Sequence, residues 1–164
     1  MRKYLLAVAA CALCAAPASA ATTITNTFNV LLTVQAQCLM TKPADVNFGT
    51  VGVIAAALTQ TTTVQVTCTN STPYTLGLDA GLNGGGAVTA RQMKGGTGGA
   101  FLPYKLTTDA AYLNVWGNSA ATGWVSATGT GAAQTYTVYA QVPVPASTPA
   151  PDAYADTITA TVTY

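Results

Sequence analysis

The segment ITNTFNVLLTVQAQC, residues 24–38, alternates between two chemistries. Seven of its eight even-numbered positions are apolar (Ile24, Phe28, Val30, Leu32, Val34, Ala36 and Cys38), with Asn26 the exception. Six of its seven odd-numbered positions are polar, with Leu31 the exception. Successive side chains of a β-strand point to opposite faces, so the pattern predicts a long strand over residues 24–37 with one greasy edge. Periodicity alone favours the first strand of the chain's own sheet. It does not say whose core that edge fills, since a strand so patterned can also enter another molecule.

Upstream, residues 1–20 read as an export signal rather than as fold. Arg2 and Lys3 form a positive n-region, Tyr4 to Ala16 is an uncharged apolar run, and Ala18-Ser19-Ala20 is a small-x-small cleavage site. The run is too short for a membrane anchor. The predicted mature chain has 144 residues, enough for one domain with a real core. It carries four Lys/Arg (Lys42, Arg91, Lys94, Lys105) against five Asp (Asp45, Asp79, Asp109, Asp152, Asp156), a net charge of −1. With no basic patch, it has neither a nucleic-acid footprint nor a polybasic lipid-binding segment, and no membrane insertion of the mature chain is expected.

Cysteine use fits export. Cys11 and Cys14 leave with the signal, and Cys38 and Cys68 remain, an even pair that in an oxidising compartment closes a disulfide. The expected division is a signal at 1–20, the alternating segment at 21–37 and one domain at 38–164.

No part of that domain shows a helical period. Alternating runs between Gly, Pro and Asn punctuation predict strands near 45–48, 62–69, 73–79, 101–107, 112–116, 134–142 and 154–164. Many short strands of this kind predict an all-β sandwich. Leu82–Ala100, with two glycine clusters, and Pro143–Pro151, with four prolines, read as loops. In the last run, Tyr154, Ile158, Val162 and Tyr164 share a face with Asp156 and Ala160, and threonines occupy the other.

The chain is poorly supplied for catalysis or metal binding. It has no His, and all five acidic residues are Asp. The usual general base near neutral pH is therefore missing. No phosphate-loop or nucleophile-elbow pattern is present. Asp79, Asp109, Asp152 and Asp156 could hold Ca²⁺ only if folding gathered them, and each reads better as a turn or strand-end residue. No cofactor is expected. Tyr74, Tyr104, Tyr112, Trp116, Trp124, Tyr136 and Tyr139 could offer a sugar-stacking face, although aromatics at strand spacing more often pack in a core. Trp124, among Ala, Thr and Gly, reads as a surface aromatic.

Several markers then fall in order: the alternating segment ending at Cys38, VNFGT (46–50), VTCTN (66–70), PYTLGLDAG (73–81), RQM (91–93), LPYKLTTD (102–109), VWG (115–117), VYAQVP (138–143) and YADTITATVTY (154–164). Together they resemble the spore coat protein U domain family, which includes subunits of archaic chaperone–usher pili. One departure is Asp152, where such chains often carry Gly, which puts the turn before the final strand in question.

The resemblance implies an incomplete immunoglobulin-like sandwich lacking its last strand. A periplasmic chaperone lends a strand first. The N-terminal strand of a neighbouring subunit then replaces it at an outer-membrane usher, giving a homo-polymer or a fibre of sister pilins on the cell surface that supports adhesion and biofilm formation. In that scheme Ile24, Phe28, Val30, Leu32 and Val34 are the donor side chains, and Ile158, Val162 and Tyr164 flank the acceptor groove. Two other readings are a self-complemented surface or coat protein, and a small secreted glycan-binding module.

Overall fold

The computed structural model describes residues 20–164, so the expected signal, apart from Ala20, lies outside the described residues. The chain divides into two units, the first ending at Thr33 and the second beginning at Val34. Residues 20–33 of the first carry no helix or strand.

The second unit is built from β1 (Cys38–Thr41), β2 (Leu58–Cys68), β3 (Pro73–Leu78), β4 (Gln92–Gly95), β5 (Phe101–Pro103), β6 (Lys105–Thr107), β7 (Val125–Thr128), β8 (Ala133–Val142), β9 (Tyr154–Ala155) and β10 (Ala160–Thr163), with one 3₁₀ turn at Ala120–Thr122. Three antiparallel sheets result, in the orders β1-β2-β8-β6, β10-β3-β7 and β5-β4-β9. The frame is the β2–β8 ladder, which runs from Leu58 opposite Val142 to Thr67 opposite Ala133. Thr and Val make up seven of the eleven residues of β2, and Thr, Val and Tyr six of the ten of β8; β-branched and aromatic side chains suit a pleated surface.

Alternation then decides which side is buried. Val64, Val66 and Cys68 of β2 and Val138, Ala140 and Val142 of β8 face inward, meeting Tyr74, Leu76 and Leu78 of β3 with Leu102, Tyr104, Leu106 and Trp116. Trp116 is almost fully buried, and its indole N–H donates to the Leu76 carbonyl at 3.1 Å. Its ring meets Tyr136 edge-on, with centroids 6.5 Å apart. The Tyr136 hydroxyl shares a 2.6 Å hydrogen bond with Tyr74. Burial raises the Tyr74 phenol well above its ordinary range. Cys38 and Cys68 stand directly opposite in the β1–β2 register and are joined by the expected disulfide.

Several expectations need correction. Among the described residues, 24–37 form no strand, although the Gln37 carbonyl accepts from the Thr69 amide at 2.9 Å just before β1. Residues 45–48 are likewise outside any strand, and 112–116 contributes a single bridge, Thr107 to Val115. The expected strand 101–107 is interrupted at Tyr104, and 154–164 splits into β9 and β10 around four residues. β4 lies inside the presumed glycine-rich loop, and β7 was not legible at all. Asp152 answers the question about the last turn. Its Oδ2 accepts from the Thr97 and Gly98 amides at 2.9 and 2.8 Å and its Oδ1 from Ala153 at 2.8 Å, and its φ is not positive, so the turn does not require a glycine there.

Candidate functional site

The expected functional residues divide between the two units. In the first, Ile24, Phe28, Val30 and Leu32 are all more than four-fifths exposed. Isolated exposed apolar residues are ordinary, but a row of large ones at strand spacing is not. Val34, in the second unit, is also exposed.

In the second unit, the last run keeps the predicted alternation. Tyr154, Asp156, Ile158, Ala160 and Val162 are half-buried, and Ala155, Thr157, Thr159, Thr161 and Thr163 are exposed. Ile158, Ala160 and Val162 pack against the core from one side, as do Val46, Phe48 and Leu58. Tyr164 remains 59% exposed. β10 pairs only with β3, from Ala160 opposite Leu78 to Thr163 opposite Thr75, and it ends its sheet. β9 pairs only with β4 and ends the third sheet. The last run is therefore an edge with half-covered apolar side chains and a ladder on one side, the form that accepts a further strand.

Polar groups that sequence reasoning missed hold this edge in place. Arg91 is fully buried. Its Nη2 donates to the carbonyls of Leu78 (3.0 Å), Asp79 (2.6 Å) and Trp116 (2.7 Å), and its Nε donates to Asp79 (2.8 Å). It thereby ties the end of β3 to the Trp116 turn. Burial lowers its pKa, opposed by the nearby acidic groups Tyr104, Asp79 and Asp156.

Asp156 is the polar member of the half-buried row. Its Oδ2 accepts from the Tyr104 hydroxyl at 2.6 Å. Its Oδ1 accepts from the Leu82 amide (2.9 Å), Asn83 Nδ2 (3.0 Å) and the Thr157 amide (2.9 Å). Burial first, then the bond to Asp156, raises the Tyr104 phenol far above its usual range. Asp79 Oδ1 accepts from Gly81 and Thr159 amides, both at 3.0 Å, which fastens the β3 end to the run just before β10. Gly81 has φ +72°, and a side chain there would collide with the Asp156 carboxylate. The legible signals were one Arg among few cations and one Asp in an apolar row.

Asp109 and Asp152 act in loops. Asp109 accepts from the amides of Asn114 (2.6 Å), Leu113 (3.2 Å) and Ala111 (3.1 Å). Both carboxyls are held below their usual range, Asp109 by the Asn114 amide foremost and Asp152 by the Gly98 and Thr97 amides. All four candidate cation ligands thus accept from backbone N–H groups. The candidate stacking aromatics do not share one face, since Tyr74, Tyr104 and Trp116 are core while Trp124 is 38% exposed. An open cleft of about 260 Å³ is lined by Thr108, Trp116, Val125, Thr135, Tyr136, Thr137 and Tyr139, with no acid or cation on its wall. Among the described residues, no helix is long and apolar enough to cross a membrane.

Comparison with known proteins follows this geometry. Residues 24–161 match the Spore Coat Protein U domain. Among solved structures, a chain of the CsuC–CsuE chaperone–tip adhesion subunit pre-assembly complex, from the archaic chaperone–usher Csu pili of Acinetobacter baumannii, is similar at TM-score 0.58 and 25% identity. The similarity covers 80% of this chain and 41% of that one, so the present chain spans about two fifths of its neighbour's length. Comparison with curated protein sequences finds no match.

Proposed function

Since the chain belongs to the Spore Coat Protein U domain family, we propose that it is a structural pilus subunit whose sandwich lacks one strand and is completed by the N-terminal segment of another subunit. The family and the fold are those of structural pilus subunits rather than enzymes. The observation that carries the reading is the last run: half-covered apolar side chains beside an edge with a ladder on one side.

An incoming strand repairs both defects together. Its alternate side chains cover Ile158 and Val162, and its main chain extends the ladder. Ile24, Phe28, Val30, Leu32 and Val34 are the side chains so used, and Ile158, Val162 and Tyr164 flank the groove that takes them. Burying five such groups contributes on the order of 10 kcal/mol before ordering costs. That is comparable with the roughly 5–15 kcal/mol net stability of a domain. An uncompleted subunit is therefore marginal, and a completed one long-lived. In this scheme a periplasmic chaperone supplies the missing strand until an outer-membrane usher exchanges it for a subunit's segment. The similarity to a chain of a chaperone–subunit complex supports this route. Residues 1–20 would export the chain to the periplasm, and the fibre would stand on the cell surface, supporting adhesion and biofilm formation.

The test is direct. Cell-surface fractions heated only mildly should give a ladder of SDS-resistant multimers that collapses on boiling, and micrographs should show fibres that vanish with this gene. A single monomeric band, with fibres unaffected by loss of the gene, would refute the proposal.

A further inference from the structure

The two rows also carry information about which subunit supplies the strand and in what alignment. Resting on the proposed donor-strand reading, we infer that the occupant of the open edge is residues 24–34 of a second copy of this chain, lying antiparallel to residues 154–164 with Phe28 beside Ala160.

Four observations converge on this pairing. First, every strand pair in the domain is antiparallel, so an antiparallel newcomer continues the existing pattern. Second, the two apolar rows have the same length and the same parity. The donor row occupies even positions 24 to 34 and the acceptor row even positions 154 to 164. Full antiparallel overlap sets Ile24 by Tyr164, Asn26 by Val162, Phe28 by Ala160, Val30 by Ile158, Leu32 by Asp156 and Val34 by Tyr154. A shift of one residue would turn every donor side chain to the wrong face.

Third, the sizes match. Phe28 is the largest side chain of the donor row, and Ala160 is the smallest of the acceptor row, half-buried at the start of β10. Neighbouring side chains across a ladder stand about 4.5–5.5 Å apart at Cβ. A phenylalanine therefore needs a small neighbour to reach the core beneath. Asp156 presents no bare charge to Leu32, because its two oxygens accept from Tyr104, Leu82, Asn83 and Thr157.

Fourth, the tether excludes the neighbouring registers. Gln37 is already held in its own domain, its amide donating to Thr69 Oγ1 at 3.1 Å and its carbonyl accepting from the Thr69 amide at 2.9 Å. Full overlap leaves Gln35 and Ala36 as the link between subunits. Sliding two residues one way places Ala36 in the neighbour while Gln37 stays at home, leaving no link. Sliding two residues the other way sets polar Asn26 beside Ala160 and crowds Phe28 against Ile158.

The experiment uses the full chain in the source cells, in place of the native copy. Phe28→Cys with Ala160→Cys should give a ladder that survives boiling and collapses with reductant. Phe28→Cys with Ile158→Cys, or with Val162→Cys, should give at least tenfold less. As a second arm without new thiols, Ala160→Leu should cut multimer yield at least tenfold. Adding Phe28→Ala should restore it, and adding Val30→Ala should not. If the wild-type ladder forms but cross-linking or rescue follows Ile158, Val162 or Val30, this register is wrong while the donor-strand reading stands. If Phe28→Cys with Ala160→Cys closes only within monomers, the partner is not a second copy. If wild-type chains form no multimers, both this register and the reading beneath it fall.

Discussion

In the proposed donor strand, Phe28 and Leu32 share a face with the rest of the apolar row, and Thr27 takes the other. Phe28→Asp and Leu32→Asp each place an unpaired carboxylate in the groove of the proposed complex. Each should abolish multimers in mildly heated gels while leaving the amount of exported chain unchanged, and Thr27→Asp should leave the ladder within about twofold of normal. Arg91 acts differently, satisfying three buried carbonyls from one guanidinium. Arg91→Leu leaves those acceptors bare, so urea denaturation should show a loss of about 2–4 kcal/mol. A loss under about 0.5 kcal/mol would mean that water replaces it freely. Asp152 carries a pH dependence. Its native carboxyl titrates below the unfolded value of about 3.9, so the ionised form is the one the fold favours. The contribution is complete above that value and is lost as pH falls through the lower native one. The Gly98 amide resonance should therefore titrate below about pH 3.9 and lose that dependence in Asp152→Asn. Titration at or above the ordinary carboxylate value would contradict the bonding.

Among the elements, β1 is the short edge of the four-stranded sheet, and the disulfide ties its first residue, Cys38, to the last residue of β2. Cys38 and Cys68 are 30 positions apart in the chain. Closing a loop of that size removes unfolded-state freedom worth about 3–4 kcal/mol in the chain-entropy picture. Cys38→Ser with Cys68→Ser should lower the unfolding midpoint in urea by the corresponding amount, and wild-type chain with added reductant should match it. β8 and the second half of β2 were legible because apolar residues alternate against one buried face at Val64, Val66 and Cys68 and at Tyr136, Val138, Ala140 and Val142, whereas Leu58–Thr61, mostly Thr and Gln, gave no such pattern. β4 and β7 were not, because Gln92–Gly95 and Val125–Thr128 are four residues each, too short for a period to emerge. β4 pairs with the adjacent β5 and with the distant β9, and β7 pairs with the distant β3.

For the complete chain, the exposed row and the half-covered edge are two halves of one proposed contact, so they should fail separately. Deleting Ala21–Gln35 removes the donor and leaves the groove. Such a chain should still be drawn out of the periplasm with a chaperone, cap a multimer at one end and add nothing further. Multimers extending from truncated chains alone would contradict the assignment. The residues alone were sufficient for the all-β class, the Cys38–Cys68 pair and the two alternating runs. Alternation is a property of each backbone segment, and its period is set by the pleat. They were not sufficient to show that residues 24–37 stay without a ladder, that Arg91 gathers three carbonyls, or that Asp152 and Asp156 hold the last run in place. Those depend on which distant segments meet. Such meetings are settled by how the whole chain buries its apolar faces and satisfies its buried polar groups, a competition no local pattern records.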